Sequence, residues 1–183
     1  MSLFASSEKV DFSISEKYQD LSSEIFKNIS SHHYSREIDN ESFNNLYIDA
    51  LLEELDGNKN LFLSYEIKSF KRKSSNYKKN RENFDINLAY EILNTYFNRV
   101  IEISEYQIKL AKKDSFDLSI DEGIDIFYDD NEYASTMLEL KERWRKTTKN
   151  DFIISILAKD NEDEIITNLT HLSLIHISEP TRR

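Results

Sequence analysis

The sequence predicts an all-α protein: an elongated multi-helix domain with one long central helix and an irregular acidic loop. Three observations carry that expectation. Glycine and proline, which supply the backbone angles of tight turns, number only two and one in 183 residues. Apolar residues recur at the i, i+3, i+4, i+7 spacing of a helix face in several separate segments. After Asp85 the pattern persists for roughly 25 residues, enough for a rod of roughly 38 Å.

The elements follow in order. Ser13 with Glu16 forms a capping-box spacing, after which Tyr18, Leu21, Ile25, Phe26 and Ile29 recur at helical intervals. Asn40 is the expected cap of a second helix, whose buried face is predicted as Phe43, Leu46, Tyr47, Ala50, Leu51 and Leu55. Gly57 is the expected left-handed residue that ends it. The apolar link Leu61-Phe62-Leu63 leads to a third helix capped by Ser64. Asp85 caps the long helix, which carries Leu88, Ala89, Ile92, Leu93, Tyr96, Phe97, Val100, Ile103, Ile108 and Leu110. These positions cover more than one stripe, so this helix is predicted to be buried on two sides. An irregular segment spans Asp114 to Tyr133. A fifth helix begins near Ser135, with Met137, Leu140, Trp144, Phe152 and Ile156 in a stripe that Thr148 interrupts. Asp160 caps a last helix carrying Ile165, Ile166 and Leu169.

Charge and composition narrow the function. The chain has 24 basic and 34 acidic residues, a net charge of −10. Such a surface disfavours nucleic acid, whose phosphates dominate affinity, and disfavours anionic membranes. No apolar run approaches the roughly 20 residues of a membrane-spanning helix. Cysteine is absent, which removes disulfides and thiolate metal sites.

No residue is assigned a catalytic, cofactor-binding or metal-binding role, and no cofactor is expected. The acidic segment holds Asp114, Asp117, Asp121, Glu122, Asp125, Asp129, Asp130 and Glu132. A helix-loop-helix calcium site needs an oxygen ligand first and a glutamate twelfth. With Gly123 sixth, those places fall to Leu118 and Asp129, so a solvated loop is the better account. His32 and His33 are adjacent and diverge on a helix; His171 and His176 have no carboxylate at ligand spacing. Ser6 and Lys9 share a Ser-x-x-Lys spacing, but at a terminus rather than on the rigid element such chemistry needs. The cations Lys68, Lys71, Arg72, Lys73, Lys78, Lys79 and Arg81 surround Tyr77. They suggest either a docking patch for an anionic partner or a solvated helix end.

Several pieces in order resemble the N-terminal domain of tail-specific (carboxy-terminal processing) serine proteases. They are His33-Tyr34-Ser35, Phe43 through Leu55-Asp56, Asn60-Leu61-Phe62-Leu63 and the helix Ser64 to Phe70. Leu88-Ala89-Tyr90-Glu91-Ile92, Phe116-Asp117 and Leu138 through Lys146 continue the pattern, with Trp144 before Lys149-Asn150-Asp151 its most specific piece. The resemblance covers roughly residues 31–169. It implies a helical domain that encloses substrate ahead of a peptide-binding PDZ domain and a serine-lysine core. It implies polypeptide substrates recognised by their C-termini, an adaptor protein as a candidate partner, and a periplasmic location. The family's catalytic residues belong to the core, so the chain itself is expected to be inactive although its parent is an endopeptidase. The alternative is a stand-alone helical interaction module with no enzymatic role.

Domain boundaries follow from the same reading. Residues 1–15 are expected to be disordered or the remnant of an export signal, for which Leu3-Phe4-Ala5 is the only apolar trace. Residues 16–171 form the truncated helical domain. Residues 172–183, beginning Leu172-Ser173-Leu174, depart from the family and resemble an adapter-derived, non-native tail.

Overall fold

The computed structural model describes residues 9–32, 40–76, 86–111, 116–120, 122–123 and 132–158. Among them are five helices: α1 Glu16–His32, α2 Asn40–Asp56, α3 Ser64–Asn76, α4 Ile86–Ala111 and α5 Met137–Leu157. The all-α expectation holds. The long helix is α4, with 26 residues, and it packs against α2, α3 and α5.

Two apolar clusters flank α4, which is why its sequence carries more than one stripe. Ile48 and Leu52 of α2, Phe62 of the link, Ile67 and Phe70 of α3 and Leu88, Ile92, Tyr96 and Val100 of α4 form the first. The second comprises Leu63, Ala134, Leu140 and Trp144, with Ile103, Tyr106 and Met137 packed against it. Phe62 and Leu63 are chain neighbours that enter different clusters. The link from α2 to α3 is therefore the seam between them.

That seam is held by one carboxylate. Asp56 ends α2 and is only 4% exposed. Its Oδ1 accepts from the Asn60 amide at 2.7 Å, and its Oδ2 accepts from Leu61 at 2.9 Å and Phe62 at 2.8 Å. The Asn60 carbonyl in turn accepts from the Trp144 indole at 2.6 Å. Arg143 Nη1 donates to the Lys59 carbonyl at 3.2 Å and to Glu132 O at 2.8 Å. Past Leu63 the link makes a parallel bridge to Ala134, with Ser64 N–H on the Ala134 carbonyl at 2.9 Å. A buried ion pair sits beside it. Arg99 Nη2 meets Glu66 Oε1 at 2.7 Å, while Glu66 Oε2 accepts from Leu63 N–H at 2.7 Å. Among the described residues no buried side-chain nitrogen or oxygen lacks a partner, as a low-dielectric seam demands.

Several local expectations change. Of the expected α2 face, Tyr47, Leu51 and Leu55 are half-buried and pack against the first cluster, whereas Ala50 is exposed and Leu46 is 69% exposed; the fully buried positions are Ile48, Leu52 and Asp56. Apolar residues wrap most of this helix, so periodicity did not single out the fully buried positions, and the link that Asp56 must reach does. The left-handed residue is Lys59, with φ 54°, not Gly57. Gly57 serves close approach instead: a Cβ there would lie 3.0 Å from the Glu53 carbonyl oxygen. α1 starts at Glu16, with Ser15 O accepting from Tyr18 and Gln19 N–H. α3 starts at Ser64, so Leu63 holds its cap position, and the Leu63 carbonyl accepts from Glu66 and Ile67 N–H.

α5 is capped by Thr136, whose side chain accepts from Glu139 N–H at 3.2 Å while Glu139 accepts from Ser135 N–H at 2.8 Å. Thr148 does not interrupt the stripe. It is fully buried and donates its hydroxyl to the Trp144 carbonyl at 2.8 Å. Ile156 is 42% exposed instead. The side chains of Phe26, Asn40 and Phe43, and the expected caps Asp85 and Asp160, lie outside the described residues, as does the last helix.

Two outcomes are expected. Replacing Trp144 with Phe leaves the Asn60 carbonyl without its indole donor and should cost about 1 to 3 kcal/mol, measured by urea unfolding under circular dichroism. Burial pushes the Asp56 carboxyl up to about 6, against the opposing amides of Phe62, Leu61 and Asn60 and the charge of Arg143. The folded state then binds a proton that the unfolded chain, with its value near 3.8, releases, so this group's contribution falls as pH rises from about 4 to about 6. The stability advantage of the unmodified chain over Asp56→Asn should grow by roughly 2 kcal/mol from pH 7 to pH 4. A shrinking advantage in parallel urea titrations would mean that the three amides outweigh burial.

Candidate functional site

Two surfaces carry enough geometry to hold something. The first lies along α4. Asn94 and Asn98 are one helical turn apart, and each grips the backbone of the segment ahead of α1. Asn98 Oδ1 accepts from Val10 N–H at 2.9 Å, and its Nδ2 donates to the Val10 carbonyl at 2.8 Å. Asn94 Oδ1 accepts from Phe12 N–H at 2.7 Å, and its Nδ2 donates to the Phe12 carbonyl at 3.1 Å. Nδ2 of Asn98 also donates to the Asn94 carbonyl at 2.7 Å, which orients that amide. The Phe12 ring meets Phe97 edge-on, with centroids 5.1 Å apart.

The second surface is a cleft of about 320 Å³ between the 118–123 segment and α5, lined by Leu118, Ser119, Ile120, Glu122, Lys146, Lys149, Asn150 and Ile153. A serine and two lysines in one cleft raise the question of serine-lysine chemistry. The hydrogen bonds answer it. Ser119 donates its hydroxyl to Asp117 Oδ1 at 2.6 Å, not to a lysine. Lys149 donates to the Ile120 carbonyl at 3.1 Å and pairs with Glu122 at 3.5 Å. Arg145 meets the other Glu122 oxygen at 2.6 Å. That hydrogen bond holds the Glu122 carboxyl below its ordinary value, as the Ser119 hydroxyl does for Asp117. Pairing with Glu142 and Glu122 raises Arg145. Among the described residues, Glu122 is shared between Arg145 and Lys149 and Asp117 holds the Ser119 hydroxyl, and these contacts fasten residues 118–120 and 122–123 to α5.

The residues weighed from sequence fall as follows. Lys71 pairs with Asp49 at 2.9 Å and Lys73 with Glu91, so half of the described basic stretch is neutralised on neighbouring helices. Lys68 and Arg72 are exposed. Tyr77, Lys78, Lys79 and Arg81 lie outside the described residues, as do Ser6, His33, His171, His176, Asp114, Asp121, Asp125, Asp129 and Asp130, and the His32 side chain. Glu132 is exposed and Lys9 is exposed. Among the described residues no cluster of histidine and carboxylates could hold a metal ion, and no helix is long and apolar enough to cross a membrane.

Sequence reading missed Asn94 and Asn98. The signal was present as two asparagines four residues apart within α4, where asparagine is a poor helix former.

Three of the quoted motif pieces, scattered along the chain, share one place. Asp56, Asn60, Phe62 and Leu63 meet Trp144 at the seam, although 84 residues separate Asn60 from the tryptophan. No curated protein matches the chain. The family model for the tail specific protease N-terminal domain matches residues 25–179, which takes in the seam, all of α2 to α5 and part of the segment from residue 172 onward. A match over most of the sequence, on a helical fold whose most specific residues form its structural joint, makes this chain a member of the tail-specific protease N-terminal domain family.

Proposed function

We propose that the chain is the helical, substrate-enclosing part of a periplasmic tail-specific serine endopeptidase, whose PDZ domain and serine-lysine core are encoded further along the gene. The observation that carries this reading is the family match over residues 25–179. The side chains fit a scaffold. The seam residues are consumed in holding helices together, and the cleft charges neutralise one another. Large apolar residues face outward on α5, with Leu138 81%, Ile154 56% and Leu157 75% exposed, which suits a surface that meets more protein. Polypeptide substrates, the PDZ and protease core and an adaptor protein are the partners of this reading.

A stand-alone helical interaction module is the second reading. It is favoured by α1, whose apolar stripe of Tyr18, Leu21, Ile25 and Ile29 lies 53%, 45%, 49% and 37% exposed. The DNA beyond the His171 codon separates the two. A PDZ-like region followed by a serine-lysine core supports the protease, and an early in-frame stop supports the module. Under the protease reading the purified 183-residue chain should leave an unstructured substrate such as reduced casein intact through an overnight digest on a denaturing gel. Cleavage that tracks the protein through purification would overturn the assignment of all chemistry to downstream residues.

A further inference from the structure

We propose that Asn94, Asn98 and Phe97 form a binding site for an extended polypeptide segment, which Val10–Phe12 of the same chain occupies in cis. The assignment stands on backbone geometry and holds under either functional reading.

The contact has the form of a two-rung ladder. Each asparagine amide bonds both the N–H and the C=O of one residue, Val10 for Asn98 and Phe12 for Asn94. The strand therefore runs antiparallel to α4. The spacing is a physical match. Four residues of helix rise about 6 Å, and two residues of extended chain rise about 6.7 Å, so rungs at i and i+4 meet residues at i and i+2. A side-chain amide that presents one donor and one acceptor reproduces the edge of a β-strand. Such recognition takes any extended backbone except one with proline at a rung, since proline has no N–H to give.

What distinguishes one segment from another is the side chain above Phe97. Phe12 stacks there edge-on while remaining 46% exposed. An aromatic residue is therefore preferred, and the ring is not locked into a core. The one side chain of the segment that reaches the rungs is Asp11, whose carboxylate accepts from Asn94 Nδ2 at 3.4 Å, a long contact beside the four backbone bonds.

Position relative to the family domain gives a second argument. Asn94, Phe97 and Asn98 lie inside the matched interval 25–179, whereas Val10–Phe12 lies outside it. The groove belongs to the domain and its occupant to a segment ahead of the match. A tethered occupant competes at an effective concentration on the order of millimolar, enough to mask a site of modest affinity from free peptide.

The test is a competition read by fluorescence anisotropy, with a labelled peptide of residues 9–14 (Lys-Val-Asp-Phe-Ser-Ile) and the full chain. Val10→Pro with Phe12→Pro removes both amide donors from the tethered segment, ahead of α1. This variant should bind the peptide at least tenfold more tightly than the unmodified chain. Adding Asn94→Ala and Asn98→Ala should abolish the gain, as should N-methylation of the peptide at its valine and phenylalanine. Exchanging the peptide's aspartate for serine should leave binding within threefold. No gain on release of the tether, or a gain indifferent to the two asparagines, would overturn the proposal. Hydrogen exchange on the unmodified chain checks the ladder independently of any proline. The Val10 and Phe12 amides should exchange at least tenfold more slowly than that of Asp11, and Asn98→Ala should erase the difference at Val10. Equal rates at all three amides would contradict it.

Discussion

The fold turns on the hydrogen bonds between the Asp56 carboxylate and the amides of Asn60, Leu61 and Phe62. A helix end leaves carbonyls unsatisfied and a following link leaves amides unsatisfied. Burying both at a junction is costly unless each finds a partner. One carboxylate with two oxygens answers three amides, and the path it imposes sends Phe62 to one cluster and Leu63 to the other. Asn60 is the pivot. Its N–H faces Asp56 and its C=O faces Trp144, so α2, the link and α5 share a single residue. The same ion nudges its surroundings: burial pushes the Tyr133 hydroxyl up to about 12, with the charges of Asp56, Glu53 and Asp49 adding to it.

Much of this architecture was legible in the sequence, for reasons that differ by element. α4 announced itself because an uninterrupted apolar pattern of that length has no other soluble solution than a helix buried on two sides. The link Leu61-Phe62-Leu63 was visible as an apolar run between two helical patterns. The resemblance flagged Asp56 and Trp144 by position, but their joint role was not visible, because contacts between residues 84 apart leave no local trace. The face of α2 was read in part: Tyr47, Leu51 and Leu55 pack against the first cluster as expected, but its buried line also takes in Asp56, a charged residue that periodicity counts as polar. Thr148 misled for the same reason. A threonine can return its hydroxyl to the carbonyl four residues back and present its methyl to a core. Arg99 and Glu66 were equally hidden, since each looks like surface charge until the other is placed beside it at 2.7 Å.

The candidate sites divide on the same principle. Residues that sequence reading weighed for chemistry, where the structure describes them, are paired with neighbouring side chains or exposed to solvent. Residues that it passed over, Asn94 and Asn98, turn out to hold a strand of backbone. Asparagine carries no charge and no catalytic expectation, and its value here lies in one donor and one acceptor at fixed spacing. Among the described residues, polar side chains fasten the chain's own backbone: Asn94 and Asn98 the segment ahead of α1, and Asp56 the link. Apolar residues also face outward on α1 and α5.

The central claim is that the Asp56 carboxylate and the Trp144 indole act as one joint through the two sides of Asn60. A double-mutant cycle with Asp56→Asn and Trp144→Phe, read by urea unfolding at pH 7, tests it most directly. Releasing the link with either substitution removes what the other was holding, so the two losses should overlap, with a coupling of about 1 kcal/mol or more. Losses that add to within about 0.5 kcal/mol would show two independent contacts, and the joint as described here would not exist.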